Sequence, residues 1–270
     1  MQSFSPIQVP EQFAGVYGLG SPVQVFSART TNRWVSALSG VICLGLAGLA
    51  FLYGLYDAYV QTAKYGPLML ESALLPPLII SGILGLVGVL FAINAWQNWN
   101  KIAVLYQNGL AYHDNKGLQL WNWQEVSLLF VSITRHYTNG IYTGTTYQYT
   151  LQKSDGNKLI LGNKLQSIEV LGGAISKAVA PFQYQALINA FQSSQGITLG
   201  PIQINKESLV IGKKTFPWNE IEQVVIQNGY LSVQKRGGGW LSGASAPAAA
   251  IPNFDALMAV LEQITKVKAG

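Results

Sequence analysis

The chain of 270 residues carries 17 Lys/Arg and 12 Asp/Glu, a net charge of +5. Only 11% of its residues are charged and 49% are hydrophobic, whereas a typical soluble domain has about 25% charged, so much of this chain is suited to a non-aqueous environment. A single cysteine, Cys43, excludes an intramolecular disulfide and a cysteine-built metal site.

In chain order, residues 1–33 are rich in Gly and Pro and read as a tail, with Val23–Phe26 as a short strand. Trp34–Tyr56 and Leu74–Trp99 follow, runs of 23 and 26 residues without a charge. Each is long enough to cross a bilayer as a helix, which takes about 20 residues. We place the helices at 34–56 and 76–99, with Pro76-Pro77 at the start of the second and a loop of 17 residues, Asp57 to Ala73, between them. Arg29, Arg33 and Lys101 flank the outer ends, against Lys64 in the loop, so the positive-inside rule puts both termini in the cytoplasm. Neither span holds an ionisable residue, which argues against a proton relay or ion path. Small residues form stripes instead: Ser36, Gly40, Cys43, Ala47 and Gly54 in the first span, and Gly82, Gly85, Gly88 and Ala92 in the second. Such stripes suit a hairpin packed on itself or a homodimer interface.

Residues 101–195 begin as strands separated by turn signals. Ile102–Tyr106, Leu110–His113, Leu118–Trp123, Val126–Tyr137, Ile141–Lys153 and Lys158–Leu161 alternate with Asn-Gly, Asn-Lys-Gly and Asp-Gly turns, the pattern of an antiparallel meander. The period then changes. Leu165, Ile168, Leu171, Ile175 and Val179 recur at helical spacing, with Asn163 placed to cap. A second helix is expected from Pro181 to about Ser193, with Phe182, Leu187, Ala190 and Phe191 inward.

From 196 to 270 the pattern restarts. Ile202–Ile204, Leu209–Ile211, Thr215–Trp218, Ile221–Ile226 and Tyr230–Lys235 read as strands, 237–250 as a mobile loop, and Phe254, Leu257, Met258, Leu261 and Ile264 as one face of a helix opened by Asn253. Two landmarks recur in order. Trp123-x-Glu125-Val126 matches Trp218-x-Glu220-Ile221, and Leu161-Gly162-Asn163 matches Ile251-Pro252-Asn253, with Trp-to-Asn separations of 40 (163 − 123) and 35 (253 − 218). A tandem repeat follows.

A strand meander, Trp-x-Glu-aliphatic at the end of the third strand and one closing helix resemble a pleckstrin-homology-like domain. The resemblance implies an α+β membrane protein: a transmembrane α-hairpin and two antiparallel domains of that kind, 101–195 and 196–270, each closed by a C-terminal helix. The whole chain resembles uncharacterised bacterial membrane proteins with such domains, which implies the inner membrane as its address and no particular activity. In lipid-binding members, basic residues near these loops hold phosphate head groups, so Lys213, Lys214, Lys235 and Arg236 are candidate anion or lipid ligands.

For catalysis, Glu125 and Glu220 are the carboxylates in matched contexts. A general acid–base pair must face across a substrate, whereas these occupy equivalent places in separate repeats; we read each as a strand-end residue satisfying turn amides. Trp123 and Trp218 are expected as core anchors. His113 and His136 lack a metal-ligand pattern, and the Gly-rich run at 236–240 lacks the Lys-Ser/Thr of a phosphate loop. The positive excess is spread over some 170 residues rather than gathered on one face, unlike a nucleic-acid binder. The expectation is therefore a non-enzymatic membrane-anchored scaffold or binding module without cofactor or metal, partnered by lipids and by another protein or peptide. The alternatives are anionic-lipid sensing through the basic turns, and a membrane-bound enzyme or transport accessory subunit.

Overall fold

The structure is a computed structural model, and it describes residues 8–192, 196–238, 243–265 and 267–269. The chain divides into two compact units, one of residues 27–102 with 112–118, the other of 1–26, 103–111 and 119–270.

The first unit is a helical hairpin, α1 (Thr30–Tyr65) and α2 (Leu70–Trp99). Both helices exceed the expected spans, and the loop shrinks to residues 66–69. Asp57 and Lys64 end an apolar run, but neither residue type ends a helix. The break falls at Gly66, whose φ of 94° suits glycine and whose N–H donates to the Thr62 carbonyl; Pro67 follows. Pro76 and Pro77 lie inside α2 rather than at its start. Gly54 makes room for one of them: a Cβ there would stand 2.5 Å from Cβ of Pro77. Gly40 likewise meets the backbone of Gly88 and Ala92, and Gly88 meets Leu44, so these members of the stripes serve the hairpin interface. Gly82 and Gly85 face open space. The outward surface is apolar, with Leu38, Val41, Leu49, Ile83 and Leu86 all exposed. Both helices are long and apolar enough to cross a membrane.

The second unit is built of sheets and two further helices. β1 (Pro22–Ser27), β2 (Ile102–Tyr106), β3 (Gly109–Asp114) and β4 (Gly117–Asn122) form a four-stranded sheet in that order. Residues 112–118, the end of β3 and the start of β4, are grouped with the hairpin. The strand expected at Val23–Phe26 is β1, and the rest of the N-terminal segment is more than a tail. The segment supplies an edge strand and buries Phe13, Leu19 and Phe26, and the hairpin is an insertion between β1 and β2. β5 (Val126–Thr138), β6 (Ile141–Lys153) and β7 (Lys158–Gly162) form a second sheet of three strands, followed by α3 (Ile168–Gln192).

The order then recurs. β8 (Ile197–Leu199), β9 (Ile202–Ile204), β10 (Ser208–Ile211) and β11 (Lys214–Pro217) make four strands. β12 (Ile221–Gln227), β13 (Tyr230–Lys235) and β14 (Ala244–Pro247) make three, and α4 (Phe254–Ile264) follows. β15 (Val267–Ala269) adds in parallel to β12, Val224 opposite Val267. β14 lies where a mobile loop is expected; Ala244 and Ala246 pair with Val233 and Leu231, a strand that alanine-rich composition conceals. Of that loop, 239–242 lie outside the described residues.

α3 is one continuous helix, not two. Pro181 removes one backbone donor without ending it, and the helical phase runs on through Leu171, Ile175, Val179, Gln183 and Leu187, all buried. Gln183 therefore faces inward, and Phe182, expected inward, is exposed. The last turns of α3 enter the second core, where Leu187 packs with Ile202, Leu209, Val224, Leu231 and Leu257.

Candidate functional site

The two Trp-x-Glu turns share one geometry. Trp123–Glu125 forms a 3-10 turn in which the Trp123 indole N–H donates to the Gln107 carbonyl (3.2 Å) and its backbone N–H to that of Asn108 (3.1 Å). Trp218–Glu220 repeats it, with the indole donating to Asn205 (2.9 Å) and the backbone N–H to Glu207 (3.1 Å). Trp123 is buried and Trp218 half-buried. The glutamates take a role not foreseen. Glu125 pairs with Lys153 at 2.7 Å and Glu220 with Lys235 at 2.8 Å. Strand register explains both. Val126 lies opposite Lys153 and Ile221 opposite Lys235, so each lysine meets the glutamate one residue before its partner.

The repeated asparagines do not cap helices with their side chains. Asn163 Oδ1 accepts from the Tyr147 N–H and Nδ2 donates to the Thr145 carbonyl, both at 2.7 Å, which extends the β7 side of β6. Asn253 does the same on β5: Oδ1 accepts from the Leu129 N–H, Nδ2 donates to the Ser127 carbonyl, and its backbone N–H donates to the Leu129 carbonyl, each at 2.8 Å. Its φ of 55° is left-handed, a conformation asparagine tolerates better than most residues.

Beside Asn253 opens a cleft of about 510 Å³, within the ordinary size range of ligand sites. One wall is β5 and β6, with Leu129, Val131, Ile133 and Tyr149. A second is α3, with Ser176, Lys177 and Gln183. The third is the start of α4, with Phe254 and Asp255, and Gly229, Ala248 and Ala249 complete the lining. Tyr149 lies against Gly172 of α3, where a Cβ would stand 1.8 Å from the ring, so only glycine lets the helix come this close. Burial first, then the charges of Tyr147, Glu169 and Asp255, raise the Tyr149 phenol above its ordinary pKa. Gln183 is 5% exposed and its Nε2 has no hydrogen-bond partner among the described residues.

Of the residues singled out by motif and charge, Asn253 alone lines this cleft. Gln183 is legible as the step between Val179 and Leu187 in an i, i+4 ladder, once the helix is read through Pro181. The basic turns stand apart. Lys235 is held by Glu220, and Lys214 Nζ donates to the Gly243 carbonyl at 2.8 Å. Lys213 and Arg236 are exposed.

Residues 4–269 match a family of unknown function, DUF6585. The chain belongs to DUF6585. Because the match runs from before β1 to β15, the inserted hairpin belongs to the DUF6585 unit along with both sets of sheets. No curated protein matches this DUF6585 chain.

Proposed function

We propose that the protein is a non-enzymatic, membrane-anchored binding module. A transmembrane hairpin carries two tandem pleckstrin-homology-like domains on the cytoplasmic face of a bacterial inner membrane, and the cleft between β5, α3 and α4 receives a partner. The observation that carries this reading is the cleft itself. Apolar side chains of β5 line it beside a buried amide without a partner, a combination that a ligand relieves and that a purely structural cavity leaves unfavourable.

The remaining parts support the same reading. The exposed leucines and isoleucines of α1 and α2 would be costly in water. The recurrence of four strands, three strands and a helix is the strand count of the fold that the sequence resembles. Arg29, Arg33 and Lys101 at the outer ends of the hairpin support cytoplasmic termini. Both repeated glutamates are engaged with lysines of their own hairpins, which takes them away from acid–base work. The lipid-sensing alternative loses ground because Lys214 and Lys235 have internal partners, leaving two cations worth about 1 kcal/mol each near an anionic leaflet.

A photo-crosslinking amino acid at Ile133, in the full chain expressed in its membrane, tests this, with Glu222 on β12 as the control position. A discrete adduct at Ile133 alone, in a carbonate-resistant membrane fraction, is expected. Equal labelling at both sites would overturn the cleft as the docking site, and extraction by carbonate would overturn the anchor.

A further inference from the structure

We propose that the open edge of β5 accepts an extended peptide from a partner protein, pairing with Val131 and Ile133 and laying an apolar side chain in the cleft. This rests on the cleft being the docking site and names what docks there.

Asn253 reveals the register. A strand residue directs its N–H and C=O to the same side, and successive residues alternate. Asn253 bonds both backbone groups of Leu129 and the carbonyl of Ser127. The odd-numbered residues of β5 therefore turn their backbone away from β6, and the next outward positions are Val131 and Ile133. β5 is the edge of its sheet, and no hydrogen bond to the backbone groups of these two residues is found among the described residues. Asn253 thus makes the first rungs of a ladder that stops where the cleft begins.

Sheet edges are normally blunted by charge, proline or cover. Here Asn253 covers the edge at Ser127–Leu129, Ala248 and Ala249 line the cleft beyond it, and two β-branched apolar residues, the second 54% exposed, keep backbone groups without a partner among the described residues. Their side chains share a face with Leu129 and line the cleft, Val131 opposite Tyr149 across the β5–β6 ladder. A strand added at this edge gains backbone hydrogen bonds and an apolar pocket beside them, the two parts of recognition by strand addition. A free hydrocarbon ligand would fill the pocket and leave the edge unmet. Arg135, the next outward residue, is exposed and would face a carboxylate, so the fitting peptide carries an acidic residue near its apolar anchor.

The test uses the full chain in detergent and a library of short random peptides, counter-selected against Val131→Pro. Proline is tolerated where its missing N–H faces away from the ladder, so this variant removes an outward donor while sparing β6. Peptides with an acidic residue close to an apolar one, on either side of it, are expected to enrich and to lose about tenfold or more in affinity for Val131→Pro. Should that variant melt early, N-methylation of successive amides in a selected peptide replaces it on the wild-type chain, and affinity should fall at alternate positions. A flat N-methyl scan, or no enrichment, would overturn the peptide. A lipid or metabolite adduct at Ile133 would overturn it too, while leaving the docking site standing.

Discussion

Asn253→Ala is the sharpest probe of how the second set of sheets is tied to the first. The substitution strips the Leu129 N–H and the Ser127 carbonyl of their partners, each bonded at 2.8 Å. A buried group left unpaired costs about 1–3 kcal/mol. The neighbouring cleft can admit water, so about 1–2 kcal/mol each is the better figure, or about 2–4 together. Alanine must also hold the left-handed φ of 55°, adding about 1 kcal/mol. The total, about 3–5 kcal/mol, corresponds to a drop in Tm on the order of 10 °C for a unit of this size. Asn253→Gly loses the same hydrogen bonds without the backbone strain, so it should be the milder variant by about 1 kcal/mol. Thermal melts of the full chain in detergent give the stability, and hydrogen exchange at the Leu129 amide gives the local effect. An Asn253→Ala cost below about 1 kcal/mol with Leu129 still protected would refute the clamp.

Trp123→Ala should cost about 3–5 kcal/mol because the indole is buried, and Trp218→Ala less, because that indole is half-exposed; equal losses in thermal melts would contradict the burial difference. Gln183→Leu keeps the volume and removes an amide without a partner, so the chain should gain about 1–2 kcal/mol, and a clear loss of Tm would show that the amide is satisfied. Burial and then the Asp114 carboxylate push the Tyr112 phenol up to about 12 from 10.0. The folded pKa lies above the unfolded one, so the associated stability is complete below pH 10 and is lost as pH climbs from 10 to 12, by up to about 2–3 kcal/mol. Tyr112→Phe should flatten that decline, and an unchanged alkaline melting curve would refute the assignment.

The strands of both repeats are readable where their turns are written in the sequence. Asn139-Gly140 and Asn228-Gly229 both take the left-handed φ that tight hairpins require. Asn108-Gly109 marks a turn for a different reason: Gly109 has no room for a side chain against the Trp121 carbonyl, 2.3 Å from where a Cβ would be. What stays hidden depends on distant partners. β1 itself is legible at Val23–Phe26, but its partner β2 lies beyond the hairpin, with no sequence-local neighbour to reveal the pairing. The lysines that meet Glu125 and Glu220 emerge only from strand register. Asn163 and Asn253 carry the mark of a helix cap, yet the strands they bond, 16 to 126 residues away, override the local role. The cleft is invisible for the same reason, since its walls come from β5, α3 and the start of α4.

The insertion of the hairpin between β1 and β2 also sets an order of events. During synthesis β1 emerges before β2 and has no partner until residues 28–101 have followed it. Closing a loop that long costs only modestly more entropy than closing a short one, and a formed hairpin shortens it by bringing its own two ends together. Pairing of the helices therefore favours completion of the sheet edge at β1. A chain whose helices fail to pair would leave β1 unpartnered for longer, the kind of exposed edge that quality-control proteases and chaperones engage.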